Sequence, residues 1–196
     1  MRRSILALLL IGCDRQPEPA PAPTKPLPSN SASVAPSVAT SVSPPPSASV
    51  PLPADLDTPS RSLDDVGKAY LAALATNDDK ALLALEPKPL EYAALLYPEF
   101  VKAGEPLIGS MGVQWAWDNL SNSSRKDRPK VLRRFGGKKF LFVKVRATPS
   151  PRGAVTLHQK PVVEATLEGK PVDVTGLFAI VERGGRFCVL RYVDND

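Results

Sequence analysis

The sequence predicts an α+β domain over residues 61–196, in which N-terminal helices pack on a curved antiparallel sheet. Two observations lead to this prediction. Apolar residues recur every three or four positions in the first part of this region, and they alternate along the chain after Gly137. The two Trp, four Tyr and six Phe residues all lie at Tyr70 or later, so residues 1–60 offer little material for a core. Helices followed by a run of strands are typical of the α+β class.

The first predicted helix begins after Ser62, a favourable N-cap residue, and places Leu63, Val66, Tyr70 and Leu74 on one face. Further helices are predicted over residues 80–86, 90–100, 110–121 and 129–135. The alternating apolar residues at 113, 115 and 117 leave a strand open as the alternative for residues 110–121. The last of these helices is expected to end at Gly136 and Gly137.

Alternating apolar residues predict strands over residues 140–145, 155–159, 162–167, 172–181 and 186–193. The segment Pro149-Ser150-Pro151 is expected to break the first of them, because proline interrupts a hydrogen-bonded ladder. Tight turns are predicted at residues 168–170 and 183–185, where glycines follow charged residues. The expected sheet is therefore an antiparallel meander.

The first twelve residues predict a secretory signal peptide. Two arginines precede an apolar run over residues 5–11, which is shorter than the about 20 residues needed to span a bilayer. The run ends in Leu10-Ile11-Gly12-Cys13, which resembles the lipobox of bacterial lipoproteins. The resemblance implies cleavage between Gly12 and Cys13 and attachment of lipid to Cys13. The alternative is an unmodified cysteine beside an ordinary signal peptide.

Residues 13–60 predict the lipidated cysteine followed by a disordered tether. Of the 47 residues from Asp14 to Ser60, 29 are Pro, Ala or Ser, and six are charged. Such a segment cannot bury enough apolar surface to offset its ordering entropy. Its prolines favour the polyproline II conformation, which would reach roughly 145 Å when fully extended. A spacer that lifts a domain from the membrane is the main interpretation, and a Pro-rich ligand for a groove-type domain is the alternative.

Two stretches of the folded region, residues 63–85 and 178–193, resemble the NTF2-like (cystatin-like α+β) lipoprotein domains. The shared features are the amphipathic helices, the restart at Asn77-Asp78-Asp79 and the C-terminal meander. The resemblance implies a cone of helices and sheet around an apolar pocket. Enzymes of that superfamily use an acid or a base in this pocket, but no residue of the chain matches such a motif.

The numbers of histidine and cysteine residues exclude some kinds of metal site. With one His and two Cys, the chain excludes a three-His zinc centre and a Cys-rich zinc site, so we predict no metal site and no cofactor. An enzyme of this fold would have to use Asp118, Tyr192 or His158 as its titratable residue. His158 is predicted to be a surface residue of a strand. Cys188 is predicted to be a small buried apolar residue, with intermolecular pairing as the alternative.

Four aromatic residues are predicted to lie in the core or to line a pocket: Tyr70, Trp115, Trp117 and Phe178.

The two halves of the folded region carry opposite charge. Residues 61–124 have a net charge of −4, whereas residues 125–196 have a net charge of +9. Eight basic residues within 15 positions form a candidate anion-binding or partner-binding patch: Arg125, Lys126, Arg128, Lys130, Arg133, Arg134, Lys138 and Lys139. Such a patch attracts phosphates, carboxylates or anionic polymers. The alternative is a solvated basic surface that pairs with the acidic half of the same domain.

These observations predict an exported protein that is lipid-anchored to the cell membrane or outer membrane and faces the periplasm or the cell exterior. Its domain is expected to bind a ligand or an envelope partner, such as an anionic polymer or an acidic protein. Nucleic acid is not expected in that compartment. Two alternatives stay open: an envelope enzyme of NTF2-like type with an apolar pocket, and a purely structural tether between membrane and wall.

Overall fold

The structure, a computed structural model, describes residues 51–104 and 112–194. The predicted signal peptide (residues 1–12), the lipidation site Cys13 and residues 14–50 of the tether lie outside these ranges. Within them, helices precede an open five-stranded antiparallel sheet, which confirms the predicted α+β class. No helix in the two ranges is long and apolar enough to cross a membrane.

The first helix lies where the sequence predicts it. Helix α1 (Leu63–Thr76) is capped by Ser62, whose side chain accepts a hydrogen bond from the N–H of the third helical residue. Asn77 ends the helix in the left-handed conformation, with φ of 53°. Asp78 then caps the short helix α2 (Asp79–Leu83) by accepting bonds from two of its N–H groups. The polar triplet therefore ends one helix and starts the next.

The third helical stretch changes its hydrogen-bond pattern twice. It consists of α3 (Pro89–Glu91), a π-helical turn (Tyr92–Leu96) and α4 (Tyr97–Lys102). Pro98 lies in the first turn of α4, where a missing N–H costs least. The wider π turn immediately before it lets the chain accommodate this proline inside a helical stretch. The stretch ends at Gly104, whose φ is 75°.

Helix α5 (Val113–Phe135) is one continuous helix of 23 residues. The prediction of two separate helices was therefore wrong, and so was the alternative of a strand around Trp115. Pro129 lies inside the helix, where it has no N–H to donate to the carbonyl group four residues earlier. Because Pro129 is exposed, water can bond that carbonyl group instead. At about 1.5 Å per residue, α5 is roughly 34 Å long.

The sheet has the strand order β1-β2-β4-β5, and β3 pairs with the C-terminal half of β2. The strands are β1 (Leu141–Arg152), β2 (Val155–Leu167), β3 (Lys170–Val174), β4 (Leu177–Arg183) and β5 (Arg186–Tyr192). Every pairing is antiparallel. The predicted turns are present, and the glycines at 169, 184 and 185 have positive φ.

Two strands are longer than predicted. The expected break at residues 149–151 is absent, because β1 continues through Pro149 and Pro151, which pair with His158 and Thr156 of β2. Proline is tolerated there because, among the strands that the structure describes, β1 lies at the edge of the sheet and pairs on one side only. Strand β2 also joins two predicted strands, and it passes Lys160 with a local φ of 49°.

The predicted strand over residues 172–181 is instead two strands. Strands β3 and β4 are separated by Thr175 and Gly176. Gly176 has φ of 112°, a conformation that other residues rarely adopt. The break lets β3 and β4 pair with different parts of β2.

Helices cover both faces of the β4–β5 half of the sheet, whereas the sequence predicted that they cover one face. Ile180 and Val189 belong to a cluster with α1, α2 and the end of α5. Their neighbours Val181 and Cys188 belong to a second cluster with the π turn, α4 and the start of α5. Since adjacent strand residues point to opposite faces, the two clusters lie on opposite sides of the sheet. Helix α5 contributes to both clusters, so it crosses beside β5.

The folded region also begins before the predicted boundary after Ser60. Leu56, Thr58 and Ser60 are all buried. Thr58 Oγ1 donates to the carbonyl of Phe187 (2.9 Å), and the Ser60 carbonyl accepts from the N–H of Phe187 (3.1 Å). This segment therefore covers the outer edge of β5, and residues 56–60, which were predicted to belong to the tether, pack against the sheet.

Candidate functional site

The eight basic residues of the predicted patch occupy three environments. Arg128 is buried, and Arg125 lines a groove. Lys130 is half-buried and pairs with acidic residues. The remaining five are exposed and form a surface that we call the basic face: Lys126, Arg133, Arg134, Lys138 and Lys139.

Helical periodicity aligns the basic residues of α5. Lys126, Lys130, Arg133 and Arg134 are spaced by four, seven and eight positions, which places them on one side of the helix. Val131, on the other side, is 2% exposed and anchors α5 in the core. The packing that fixes α5 therefore turns these four side chains outward.

The basic face continues past the end of α5. Lys138 Nζ donates to the carbonyl of Arg134 (2.7 Å). This carbonyl lies in the last turn of α5, where the helix itself supplies no N–H partner. Cations are favoured there because the C-terminus of a helix carries partial negative charge. Lys130 donates to Asp127 (3.0 Å), and this hydrogen bond and charge raise the pKa of Lys130. Asp127 therefore offsets part of the positive charge beside the basic face.

Arg128 belongs to the interior. Its Nε donates to Asp79 Oδ1 (2.9 Å) and its Nη1 to Glu86 Oε1 (2.8 Å). Burial alone would lower the pKa of Arg128, but its bonds to the two carboxylates outweigh burial and raise it. This residue follows the alternative interpretation, in which a basic residue pairs with the acidic half of the domain.

The ion pair between Arg128 and Glu86 lies where α5 passes β5. Ser124 Oγ donates to Glu86 Oε1 (2.6 Å) and accepts a bond from the N–H of Tyr192 (3.1 Å). Ser124 is fully buried, and the side chain of Glu86 is 4% exposed. The polar groups therefore connect α2, α5 and the edge of the sheet at one buried point.

A groove of about 720 Å³ lies beside the basic face, and we call it the Trp117 groove. Its walls and rim include Leu83, Pro87, Lys88, Trp117, Asn122 and Arg125. The Arg128–Glu86 pair also lines it. Asp57 also lines it, so the groove combines apolar side chains with more charged groups than most small-ligand sites have.

The three candidate acid–base residues do not form one site. His158 is buried, which corrects the prediction of a surface residue, and its Nε2 lies 2.9 Å from Glu182 Oε2. Asp118 is exposed and accepts a bond from Gln114 (2.9 Å). Tyr192 is fully buried and donates to the carbonyl of Leu82 (2.8 Å). Burial raises the pKa of Tyr192 far above its usual range.

Cys188 is buried, as predicted, and burial raises the pKa of its thiol. Tyr70 is a core residue, and Trp117 packs against the second cluster while lining the groove. Trp115 is 51% exposed and is therefore not a core residue. Phe178 is 45% exposed but lines a surface pocket with Pro161 and Val193, in agreement with the prediction of a core or pocket position. The guanidinium of Arg191 stacks on Phe178, 4.2 Å from the ring centroid.

Sequence reasoning missed the role of two residues at this site. Glu86 was placed at a helix end, without its pairing to Arg128, and Lys88 was not singled out. The opposite charges of the two halves indicated that such pairs would form. They did not indicate which residues would meet, because Glu86 and Arg128 are far apart in the sequence.

Comparisons with protein-family models, with curated proteins and with solved structures gave no significant match. Within the two described ranges, no group of three His, Cys, Asp or Glu side chains is arranged to hold a metal ion. The basic face and the Trp117 groove are the two candidate binding surfaces of the described residues.

Proposed function

We propose that this protein is a lipid-anchored cell-envelope protein whose domain binds an anionic envelope polymer through the basic face. The observation that carries the proposal is the exposure of five basic side chains along the second half of α5 and just after its end. Charges grouped in this way create a field that attracts polyanions and raises their local concentration. The buried Val131 and Phe135 hold that end of α5 on the core, so the charges are presented on a rigid element.

The first thirteen residues support the proposed anchor. Arginines, a short apolar run, Gly12 and Cys13 occur in the order found in lipoprotein signals. The Pro-rich tether supports a position for the domain away from the membrane, since polyproline II segments act as spacers. The order of helices before an antiparallel meander supports the NTF2-like resemblance, which we keep as part of the proposal.

Replacing Cys13 with Ser is expected to abolish lipid attachment and move the protein from the membrane fraction to the soluble fraction. Serine keeps the size of the side chain but removes the thiol that forms the thioether. The measurements are the intact mass of the mature protein and its distribution after cell fractionation. Cys188→Ser is the matched control, because this buried cysteine lies far from the signal in sequence. Membrane attachment that persists in Cys13→Ser would contradict the anchor.

Replacing Lys126, Arg133 and Lys139 together with Gln is expected to weaken binding to a polyanion about tenfold at low salt, since exposed charge pairs each contribute modestly. The measurement is retention of the full-length protein, in detergent, on immobilised polygalacturonate over a series of NaCl concentrations. Retention should fall as salt rises, because salt screens exposed charges.

The matched control for this experiment replaces Lys68, Lys160 and Lys170 with Gln. These three lysines are also exposed, and the change in net charge is the same. An equal loss of retention in both triple variants would show that net charge, rather than the basic face, governs binding. Retention that does not depend on salt would count against the proposal as well.

A further inference from the structure

The geometry of the Trp117 groove points to a specific ligand, and we propose that the groove binds a carboxylated sugar unit of the anionic polymer. This inference rests on the proposed function and deepens it. The basic face would attract the polymer over a distance, and the groove would select its chemistry. The groove combines an aromatic side chain in its wall, a cation whose hydrogen-bond partner is an amide, and neighbouring hydroxyl and amide groups.

The wall of the groove contains an aromatic side chain, Trp117. The Trp117 ring packs against Tyr92, with the ring centroids 5.5 Å apart. Tyr92 is 1% exposed, so it supports the indole from the protein interior. Pro87 and the half-exposed Leu83 extend the apolar surface. An indole suits the C–H face of a sugar ring, because an aromatic ring combines a large apolar face with little loss of side-chain entropy.

Most of the charges in the groove already have partners. Lys88 forms an ion pair with Asp57, and that hydrogen bond holds the pKa of Asp57 below its usual value. Arg128 is paired with Glu86 and Asp79. These pairs bring together two cations and three carboxylates, so neither Lys88 nor Arg128 is left without an acidic partner.

Arg125 differs from Lys88 and Arg128 in its hydrogen-bond partner. Its Nη2 donates to Asn122 Oδ1 (3.0 Å), which orients the guanidinium without neutralising it. Within residues 51–104 and 112–194, no carboxylate is bonded to Arg125. A guanidinium binds a carboxylate through two parallel hydrogen bonds, a geometry that lysine cannot reproduce. The groove therefore has one site for a single carboxylate beside an aromatic wall.

Polar groups next to Arg125 suit the hydroxyl groups of a sugar. Ser121 and Asn122 both line the groove. The Ser121 hydroxyl donates to the carbonyl of Asp118 (3.3 Å) and can still accept a hydrogen bond, and the amide N–H groups of Asn122 can donate. A volume of about 720 Å³ lies in the range of small-ligand sites, about 300–1,000 Å³. A polyphosphate chain has no ring to lie against Trp117, so it would use the basic face and leave the aromatic wall uncovered.

Intrinsic fluorescence tests this inference, because the chain contains two tryptophans. The full-length protein in detergent is titrated with tetragalacturonate. In Trp115→Phe, in which Trp117 alone remains, a saturable change in emission is expected. In Trp117→Phe, in which the exposed Trp115 remains, emission is expected to stay constant. Maltotetraose, a neutral tetrasaccharide, should bind about tenfold more weakly, since it lacks the carboxylate that Arg125 would hold.

Two exposed basic residues, one in the groove and one outside both the groove and the basic face, give a matched pair of variants in the Trp115→Phe background. Arg125→Gln is expected to raise the Kd for tetragalacturonate about tenfold. Lys170→Gln, which removes one exposed positive charge from β3, is expected to raise it less than about twofold. Equal effects of the two variants would overturn the inference, as would an unchanged Trp117 emission or an equal response to polyphosphate. If salt-sensitive polymer retention through the basic face survives that result, the proposed function stands and the groove ligand alone is wrong.

Discussion

Replacing Arg128 with Met is expected to lower the free energy of unfolding by about 3 kcal/mol, because removal of one partner of a buried ion pair leaves the other charge unpaired. The side chain of Glu86 is 4% exposed and would keep the hydroxyl of Ser124 as its polar partner. Asp79 is half-exposed, so water can solvate it, and we expect a loss at the lower end of the range for such pairs. Urea denaturation followed by circular dichroism measures the change.

Lys126→Met is the matched control, because it makes the same chemical change two positions earlier on the exposed side of α5. Its effect is expected to stay within about 0.5 kcal/mol. The double variant Arg128→Met with Glu86→Gln should recover part of the loss, since it no longer buries an unpaired carboxylate. Similar losses for Arg128→Met and Lys126→Met would contradict the buried ion pair.

Local signals in the sequence were sufficient to predict where α1 begins and where the chain passes from α1 to α2. Ser62, Asn77 and Asp78 act on backbone groups within a few residues of themselves, so their roles depend little on the rest of the fold. The turns at 169 and 184–185 follow for the same reason, since glycine favours the positive φ that each turn requires.

The errors occur where distant contacts decide the structure. Pro129 was expected to start a new helix, yet α5 continues through it because Ser124, Arg128 and Val131 are buried on both sides of the proline. Packing of this kind overrides local preference. Coverage of both sheet faces was missed for a related reason. A continuous apolar run such as that in β4 is compatible with a strand that is buried on both faces. The pattern alone does not show which elements cover each face.

The candidate site was predictable in part. Eight basic residues in 15 positions were evident from the sequence. Their division into a buried residue, a groove residue and an exposed surface required a continuous α5, because helical periodicity assigns faces only within one helix. The Trp117 groove could not be foreseen, since Lys88 and Trp117 lie in different helical segments and meet through tertiary packing.

Gly176 is a position where the local conformation and the packing both exclude a side chain. Its φ of 112° is strained for any other residue. A Cβ at this position would lie 2.8 Å from the hydroxyl oxygen of Tyr70 and 2.9 Å from a methyl group of Val131. Tyr70 cannot move away easily, because its hydroxyl donates to the carbonyl of Thr175 (2.7 Å) and its ring is fully buried.

Gly176→Ala is therefore expected to lower the free energy of unfolding by about 3 kcal/mol, the sum of backbone strain and overpacking. Gly169→Ala is the matched control: its φ is 78°, but a Cβ there would meet no atom within 4 Å. Backbone strain alone should cost the control about 1 kcal/mol. Urea denaturation of both variants separates the two contributions. Equal losses would mean that contact with α1 and α5 adds nothing, whereas the expected difference would show that the break between β3 and β4 is fixed by the packing of these helices on the sheet.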